Sequence, residues 1–349
     1  MSDNKVVKHI IRHTDNIRSA LIKLDALSID AILFVVNDSN QLIGSLTDGD
    51  IRRGFIKGLD LQDEIGCFMH KTPICLLQNA FTLKDLDNYR KFKIIPIINQ
   101  NKEIVDIINF RLQQTILPID VVIMAGGKGQ RLMPLTANTP KPLLKVGEKP
   151  IVEYNIDRLV KVGVKNITLS VNYLAEQIIS YFNDGAEKGI TIDYIKEGKP
   201  LGTIGSILLK NQFNHDDILV MNSDLLTNID FADFYKFFKE SSSDITVASV
   251  GYDVKVPYGV LEIDEKYNVN SLKEKPTYTY FSNAGIYLIR RDVLRLIPPD
   301  TFFDITDLMQ KVMEMKRKLT TFPINAYWLD IGKHDDFIKA QEDIKHIKL

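Results

Sequence analysis

Cysteine is nearly missing from the chain. Only Cys67 and Cys75 occur in 349 residues, and they lack the company of a full metal-ligand set. That excludes a disulfide framework and a thiolate metal site, and makes a reduced, cytoplasmic setting the simpler expectation. An excess of one charge is missing too. The 44 basic residues stand against 45 acidic ones, a formal net of −1, so nothing points to nucleic-acid or membrane affinity. No apolar run approaches the roughly 18 residues of a membrane span, and the opening Met-Ser-Asp-Asn-Lys lacks a signal-peptide pattern. No Gly-x-Ser-x-Gly elbow occurs. What is left is a globular chain, 45% hydrophobic, long enough for two domains.

Glycine is concentrated in one stretch: Val121-Val-Ile-Met-Ala125-Gly126-Gly127-Lys128-Gly129-Gln-Arg131-Leu-Met-Pro134-Leu-Thr136, closed by Pro140-Lys141-Pro142. Val121 to Met124 is an unbroken apolar run and reads as a short buried strand. It empties into three glycines within four residues. Such a loop turns sharply and presents bare amides, which converge on phosphate with no side chain in the way. Lys128, Arg131 and Lys141 add fixed positive charge, and the planar fork of arginine can bond two phosphate oxygens at once. The spacing excludes a Walker A loop, because Lys128 precedes Gly129. It also excludes the dinucleotide fingerprint, because Leu132 stands where a third glycine is required. The chemistry is that of a triphosphate site; a tight turn with incidental basic residues is the plainer alternative for the glycines alone.

With Arg131, Pro-Leu-Thr and Pro-Lys-Pro in register, the stretch resembles the signature of the sugar-1-phosphate nucleotidyltransferases, departing from it at Gln130. From Ile119 onward, apolar strands (121–124, 167–171, 190–195, 218–221, 245–250, 260–263 and 285–289) alternate with helical patterns (151–162, 174–183, 204–210, 230–241 and 305–316). Alternation predicts an α/β fold, a mostly parallel sheet with helices on both faces and ligands beyond the carboxyl ends of its strands. The resemblance refines this to a Rossmann-like, GT-A-like mixed sheet over residues 116–349. The tail from Lys333 reads as an amphipathic helix with Phe337, Ile338 and Ile344 on its apolar side.

The resemblance also implies roles residue by residue. Ala125, Gly126, Gly127, Lys128 and Gly129 would hold the nucleotide. So would Gly202 and Thr203 of Pro200-Leu-Gly-Thr-Ile204-Gly, where Ile204 replaces the family's usual alanine. Asp224, in Asn222-Ser-Asp224, and Asp330, in Trp328-Leu-Asp330-Ile-Gly332, would bind Mg²⁺, whose hard octahedral preference two carboxylates with phosphate oxygens and water satisfy. Tyr258 and Gly259, Glu274 and Lys275 of Glu-Lys-Pro, and Asn283 of Asn-Ala-Gly would contact the sugar phosphate. Arg131 and Lys141 would be the catalytic cations. The plainer readings are a loop aspartate capping a turn for Asp224, a helix start for Thr203, and a solvated charged turn for Glu274 and Lys275.

The first 115 residues contain a weak repeat. Val35-Val-Asn-Asp-Ser-Asn-Gln-Leu-Ile-Gly44 parallels Ile97-Ile-Asn-Gln-Asn-Lys-Glu-Ile-Val-Asp106, each a strand, a polar turn and a strand. A helical pattern precedes each copy: Ile17, Leu21, Leu24 and Leu27 after a Thr14/Asp15 cap, then Leu83, Leu86 and Tyr89 after Thr82. Two such units resemble a paired CBS module. Gly44-Ser-Leu-Thr47-Asp-Gly-Asp50-Ile-Arg matches the family's ribose-binding Thr and Asp, while the second copy carries Asn109 and Leu112 there. Thr47 and Asp50 as a helix cap alone, or as a cap plus nucleotide site, both fit. The resemblance thus implies a regulatory pair sensing a purine nucleotide, a homo-oligomer by family analogy, and a transferase taking NTP and sugar 1-phosphate to NDP-sugar and pyrophosphate. The likeness to CBS-bearing guanylyltransferases acting on glucosamine 1-phosphate or related hexose or heptose 1-phosphates, in legionaminic acid and surface-glycan pathways, favours GTP. Thymidylyl or uridylyl transfer to glucose 1-phosphate, guanylyl transfer to mannose 1-phosphate, and an inert nucleotide-sensing regulator stay open.

Overall fold

The computed structural model describes residues 6–78, 80–81, 86, 88–89, 91–111 and 115–347. The chain divides into two compact units, Met1–Ile116 and Leu117–Leu349.

Short β-branched runs build two small sheets in the first unit. One holds β1 (Ile10–Arg12), β2 (Leu33–Val36) and β3 (Leu42–Leu46), the other β4 (Leu76–Leu77), β5 (Ile94–Ile98) and β6 (Ile104–Asn109). In each sheet the first pair is parallel and the second antiparallel. The hairpin turns repeat bond for bond. The Asn37 side-chain oxygen accepts from the amides of Ser39 and Gln41, and that of Asn99 from Asn101 and Glu103. Helices α1 (Ile17–Leu27), α2 (Asp48–Ile56) and α3 (Ile65–Phe68) cover the first sheet, burying Ile17, Leu24, Ile51 and Phe68 against Leu33, Val35 and Leu46. The cap of α1 is Asn16, which accepts from the Ser19 amide, rather than Thr14 or Asp15. Asp15 is turned back to accept from the Arg12 amide. The helical pattern after Thr82 falls largely on positions outside the described residues, as does Leu112; Leu86 itself is buried.

The second unit is built on β7 (Asp120–Met124), a short hairpin of β8 (Lys145–Val146) and β9 (Lys149–Pro150), β10 (Asn166–Val171), β11 (Thr191–Lys196), β12 (Asp217–Asn222), β13 (Leu225–Thr227), β14 (Ile245–Lys255), β15 (Val260–Ile263), β16 (Val269–Lys273), β17 (Thr277–Arg290), β18 (Leu319–Pro323) and β19 (Trp328–Asp330). Seven of these form one sheet in the order β11-β10-β7-β12-β17-β14-β18. Only β17 runs against its neighbours. The sheet is therefore mixed and mostly parallel. Val121, Val122 and Ile123 are sealed on both faces, which is why that run lacks the alternation of a half-exposed strand. Helices α4 (Ile151–Lys161), α5 (Ala175–Phe182), α6 (Phe231–Glu240), α7 (Ile305–Glu314) and α8 (His334–Asp343) follow. On one face Val122, Val220, Tyr287 and Val247 pack against Leu308 and Val312 of α7.

Three expectations are corrected here. Residues 204–210 form no α-helix but a 3₁₀ turn, Gly205–Leu209. The amides of Ile204 and Gly205 both donate sideways to the Phe303 carbonyl at 3.2 Å, which draws the backbone away from an α path. The strand expected at 285–289 is the buried second half of the 14-residue β17. Its exposed first half pairs with the far end of β14, and with the β15–β16 hairpin it forms a solvent-exposed arm. Ile338 of α8 is 63% exposed, while Phe337 and Ile344 pack on Leu329 and Ile331. One residue is about 100° of helix rotation, which puts Ile338 off the face that its neighbour shares with Ile344.

Candidate active site

Strands β11, β10, β7 and β12 run the same way, so their carboxyl ends share one edge, and the loops that follow them meet there. The loop after β7 is anchored by the Ala125 amide, which donates to the Ser170 carbonyl at 2.7 Å. At Gly127 an added Cβ would meet nothing within 4 Å, so the backbone there faces open space. Gly129 has φ +61°, and a Cβ there would come within 2.9 Å of the Thr136 methyl. The Thr136 hydroxyl, fully buried, donates to the Gly129 carbonyl at 2.9 Å. This bond ties the glycine loop to the Pro-Leu-Thr run: the threonine clamps the loop. Lys128 and Arg131 are exposed, whereas Lys141 is buried.

The two aspartates, about a hundred residues apart in sequence, are brought together by a two-stranded sheet. Strand β13 pairs with β19, setting Leu225 opposite Asp330, and the Ile331 amide donates to the Asp224 carbonyl at 3.0 Å. The Lys141 ammonium forms an ion pair with the Asp224 carboxylate. Burial pushes the Asp330 carboxyl above the ordinary carboxylate range; the Asp224 charge pushes the same way, and Lys141 and Arg131 partly offset both. Arg131 lies alongside Gly332, its guanidinium 3.7 Å from where a Cβ would stand. Arg131, Lys141, Asp224 and Asp330 are thus one cluster.

That cluster fits a divalent cation. Asp224 Oδ1 and Asp330 Oδ1 are buried with no hydrogen-bond partner, a costly state for carboxylate oxygens. A hard dication bound by oxygen satisfies both. Among the described residues no group of three or more acidic, histidine or cysteine side chains could hold a metal. The remaining ligands would come from phosphate and water, the pattern magnesium prefers.

Asn283 sits at the base of the arm, its side-chain oxygen accepting from the Gly285 amide and the Tyr287 hydroxyl, each at 2.9 Å. Gly285 (φ +72°) lies against the Asn222 side chain just before Asp224, and the Trp328 indole donates to the Ala284 carbonyl at 2.9 Å. Tyr258, Gly259, Glu274 and Lys275 lie together on the arm itself: the Glu274 carboxylate is 3.2 Å from the Cβ position at Gly259. Gly202 and Thr203 have visible structural work. A Cβ at Gly202 would stand 2.5 Å from the Phe303 carbonyl. The Thr203 amide and hydroxyl donate to Asp304, and that hydroxyl accepts from the Ile305 amide, completing the start of α7.

Glu197 was not singled out by sequence reasoning, although it opens the Pro-Leu-Gly-Thr segment. Its carboxylate accepts from the buried Ser170 hydroxyl at 2.8 Å and lies 3.1 Å from the Cβ position at Gly126. An isolated glutamate before a glycine carries no periodic or spacing signal.

The Nucleotidyl transferase family matches residues 120–347. The chain belongs to this family. The chain is 34% identical over 227 residues to the mannose-1-phosphate guanyltransferase of Debaryomyces hansenii, covering 63% of this chain and 62% of that one. It is 29% identical over 252 residues to the UTP–glucose-1-phosphate uridylyltransferase of Synechocystis sp., covering 65% of each. Among solved structures, HddC from Yersinia pseudotuberculosis complexed with GMP-PN is 31% identical, with a TM-score of 0.50, covering 65% of this chain and 99% of that one. The chain spans less than two thirds of the length of the two curated relatives, and residues 1–119 lie outside the family match. Among the described residues no helix is long and apolar enough to cross a membrane.

Proposed function

We propose that this nucleotidyl transferase is a cytoplasmic, Mg²⁺-dependent sugar-1-phosphate nucleotidyltransferase. GTP is the favoured donor, and glucosamine 1-phosphate or a related hexose or heptose 1-phosphate the favoured acceptor. The observation that carries the reading is the pair of buried, unpartnered oxygens on Asp224 and Asp330, set beside Arg131 and Lys141. The HddC complex with GMP-PN and the Debaryomyces guanyltransferase support a guanine donor. The latter also makes mannose 1-phosphate the first alternative acceptor.

A phosphate oxygen of the sugar 1-phosphate attacks the α-phosphorus in line. The bond from that phosphorus to the oxygen bridging the β-phosphate breaks, and pyrophosphate leaves. The attacking oxygen is already an anion, so no general base is required. The protein acts by positioning and charge neutralisation. The amides of 126–129 and Lys128 cradle the phosphates, with the Ala125 amide committed to the Ser170 carbonyl, and Arg131 takes up charge on the departing pyrophosphate. Lys141 holds a phosphate oxygen near the α position. Asp224 and Asp330 would hold Mg²⁺, which supplies a further positive charge to the phosphate oxygens when bound. Gly202 and Thr203 border the nucleotide, while Tyr258, Gly259, Glu274, Lys275 and Asn283 border the acceptor.

The first unit is proposed to be a CBS pair that senses a purine nucleotide. A cavity of about 610 Å³ is lined by Thr47, Asp48, His70 and Lys93, and the Thr47 hydroxyl donates to Asp50. Asp50 accepts from the Thr47 amide and hydroxyl and from Arg53, so its capping role is in place in this structure. The chemistry is tested by pyrophosphate release, with GTP, UTP, dTTP and ATP each offered glucosamine, mannose and glucose 1-phosphates. Release with GTP and one of these acceptors is expected. Tight nucleotide binding by the first unit, with no release from any pair, would leave an inert sensor instead.

A further inference from the structure

Strands β13 and β19 form a sheet of two, so one edge of β13 has no strand beside it. In an antiparallel pair the carbonyls of alternate residues turn to opposite edges. The Asp224 carbonyl faces β19 and accepts from the Ile331 amide, and the Asn228 amide donates across to the Tyr327 carbonyl, each at 3.0 Å. The carbonyls of Leu225 and Thr227 therefore face the other way, as does that of Ile229 just beyond the strand. Buried carbonyls without a donor are costly.

Helix α4 fills that edge with side chains. Asn155, fully buried, donates its amide to the Leu225 carbonyl at 2.7 Å. Arg158, one turn further along the same face, donates its two terminal nitrogens to the carbonyls of Thr227 and Ile229. The planar fork of arginine suits two acceptors spaced along a strand. The guanidinium also lies 5.5 Å over the Phe231 ring. Burial lowers its pKa to about 10 against the pull of Asp230, so it stays charged at neutral pH. At its start α4 is bonded to the other half of the site. The Ile151 amide donates to the Leu144 carbonyl at 3.0 Å, and the Leu144 amide to the Lys141 carbonyl at 3.1 Å. One helix thus grips both the turn that bears Lys141 and the strand that leaves Asp224, the two partners of the ion pair.

Resting on the transferase reading, we propose that Asn155 and Arg158 are positioning residues for the metal-binding carboxylates. They touch neither metal nor substrate; they fix the strand that aims Asp224 and, through its pairing with β19, Asp330. The Leu225 carbonyl is one peptide beyond Asp224, so a shift there carries directly into the direction of the Asp224 carboxylate. Groups that hold metal ligands from behind control metal affinity by roughly 10- to 100-fold. The acceptor-side residues Tyr258, Gly259, Glu274 and Lys275 belong to the arm, which β14 to β17 carry. Affinity for the sugar 1-phosphate is therefore set apart from α4.

The test reads metal affinity in two ways. One is the Mg²⁺ concentration for half-maximal pyrophosphate release at saturating nucleotide and sugar 1-phosphate. The other is Mn²⁺ binding in the presence of nucleotide, followed by electron paramagnetic resonance. Asn155→Leu keeps the volume and loses the donor; Arg158→Lys keeps the charge and loses the fork. Tyr235→Phe is the control, since it loses a buried bond to Asp217 at the opposite end of β12. Each chain is measured well below its own melting temperature. In Asn155→Leu and Arg158→Lys both metal readouts should weaken by roughly tenfold, the scale of one hydrogen bond, while KM for the sugar 1-phosphate stays near that of the unmodified chain. Tyr235→Phe should melt lower with both metal readouts unchanged. Should Asn155→Leu not fold, Arg158→Lys decides alone. Lower melting with unchanged metal readouts in the α4 variants would reduce both residues to structural supports and overturn the proposal. So would an equal weakening in Tyr235→Phe, or turnover by the unmodified chain without any divalent cation. Absence of turnover with every nucleotide and sugar 1-phosphate would overturn the transferase reading, and this one with it.

Discussion

At the scale of the residue, the strongest conflict lies between Asp224 and Asp330. Two carboxylates share a largely buried place, and Asp330 titrates above its ordinary range because burial and its neighbour both oppose its charge. The sign follows from linkage. A carboxyl whose folded pKa is raised costs no stability below its unfolded value, and its penalty grows as pH rises through the folded value. Without metal, the chain should therefore lose stability across that window. Asp330→Asn should remove the slope and, at neutral pH, raise the melting temperature by roughly 2–4 °C for each kcal/mol relieved. The same variant should lose the stabilisation that Mg²⁺ with nucleotide gives the unmodified chain. Scanning calorimetry with and without both ligands reads all three effects, and a lower melting temperature without metal would contradict the account. At this scale the sequence was legible as motif but not as cause. The register from Gly129 to Thr136 could be read, whereas the hydroxyl-to-carbonyl bond that imposes it could not. Glu197 was passed over because its partner Ser170 is distant in the chain and meets it only in the fold.

At the scale of the element, legibility followed burial. Strand β7 and its parallel neighbours are sealed on both faces, and their unbroken apolar runs announce them. The outer halves of β14 and β17, by contrast, have few buried side chains on either face. No period-2 signal survives there, and the arm they make with β15 and β16 could not be assembled from sequence. Strand β19 is three residues long, too short for any pattern, yet it carries Asp330. The segment 204–210 shows tertiary contact overriding local preference, since the Phe303 carbonyl claims two of its amides. The same contact yields a prediction. Gly202→Ala combines a φ of +76° with a Cβ 2.5 Å from the Phe303 carbonyl oxygen. It should cost roughly 1–3 kcal/mol, the scale of a strained non-glycine backbone, with some further cost from the contact. Denaturant melts would show this as a lower midpoint with an unchanged slope; an unchanged midpoint would show that the segment relaxes freely.

At the scale of the whole molecule, a unit with two similar small sheets precedes a unit with the family's fold. The repeat was legible from two polar turns, because asparagine at the first turn position bonds the backbone the same way in both copies. A nucleotide site was not legible at Thr47 and Asp50, since the capping of α2 and ribose binding ask for the same residue types. The second unit has cores of its own, so a chain beginning at Leu117 should fold and turn over. It should lose any response to added purine nucleotide, a response expected in the full chain within the roughly 5–150-fold range of coupled sites. Rate measurements on both chains, with and without AMP or GMP, check this. Identical responses would show that the first unit does not regulate the second.

The central claim is that one exposed guanidinium, held beside two metal-binding carboxylates, neutralises the departing pyrophosphate. Steady-state pyrophosphate release by Arg131→Ala, with GTP, the preferred sugar 1-phosphate and Mg²⁺, tests it most directly. Arg131 is exposed, so the variant should melt like the unmodified chain while kcat falls by roughly a hundredfold or more, the scale of losing one transition-state donor. A variant that turned over within a few-fold of the unmodified chain would contradict the account.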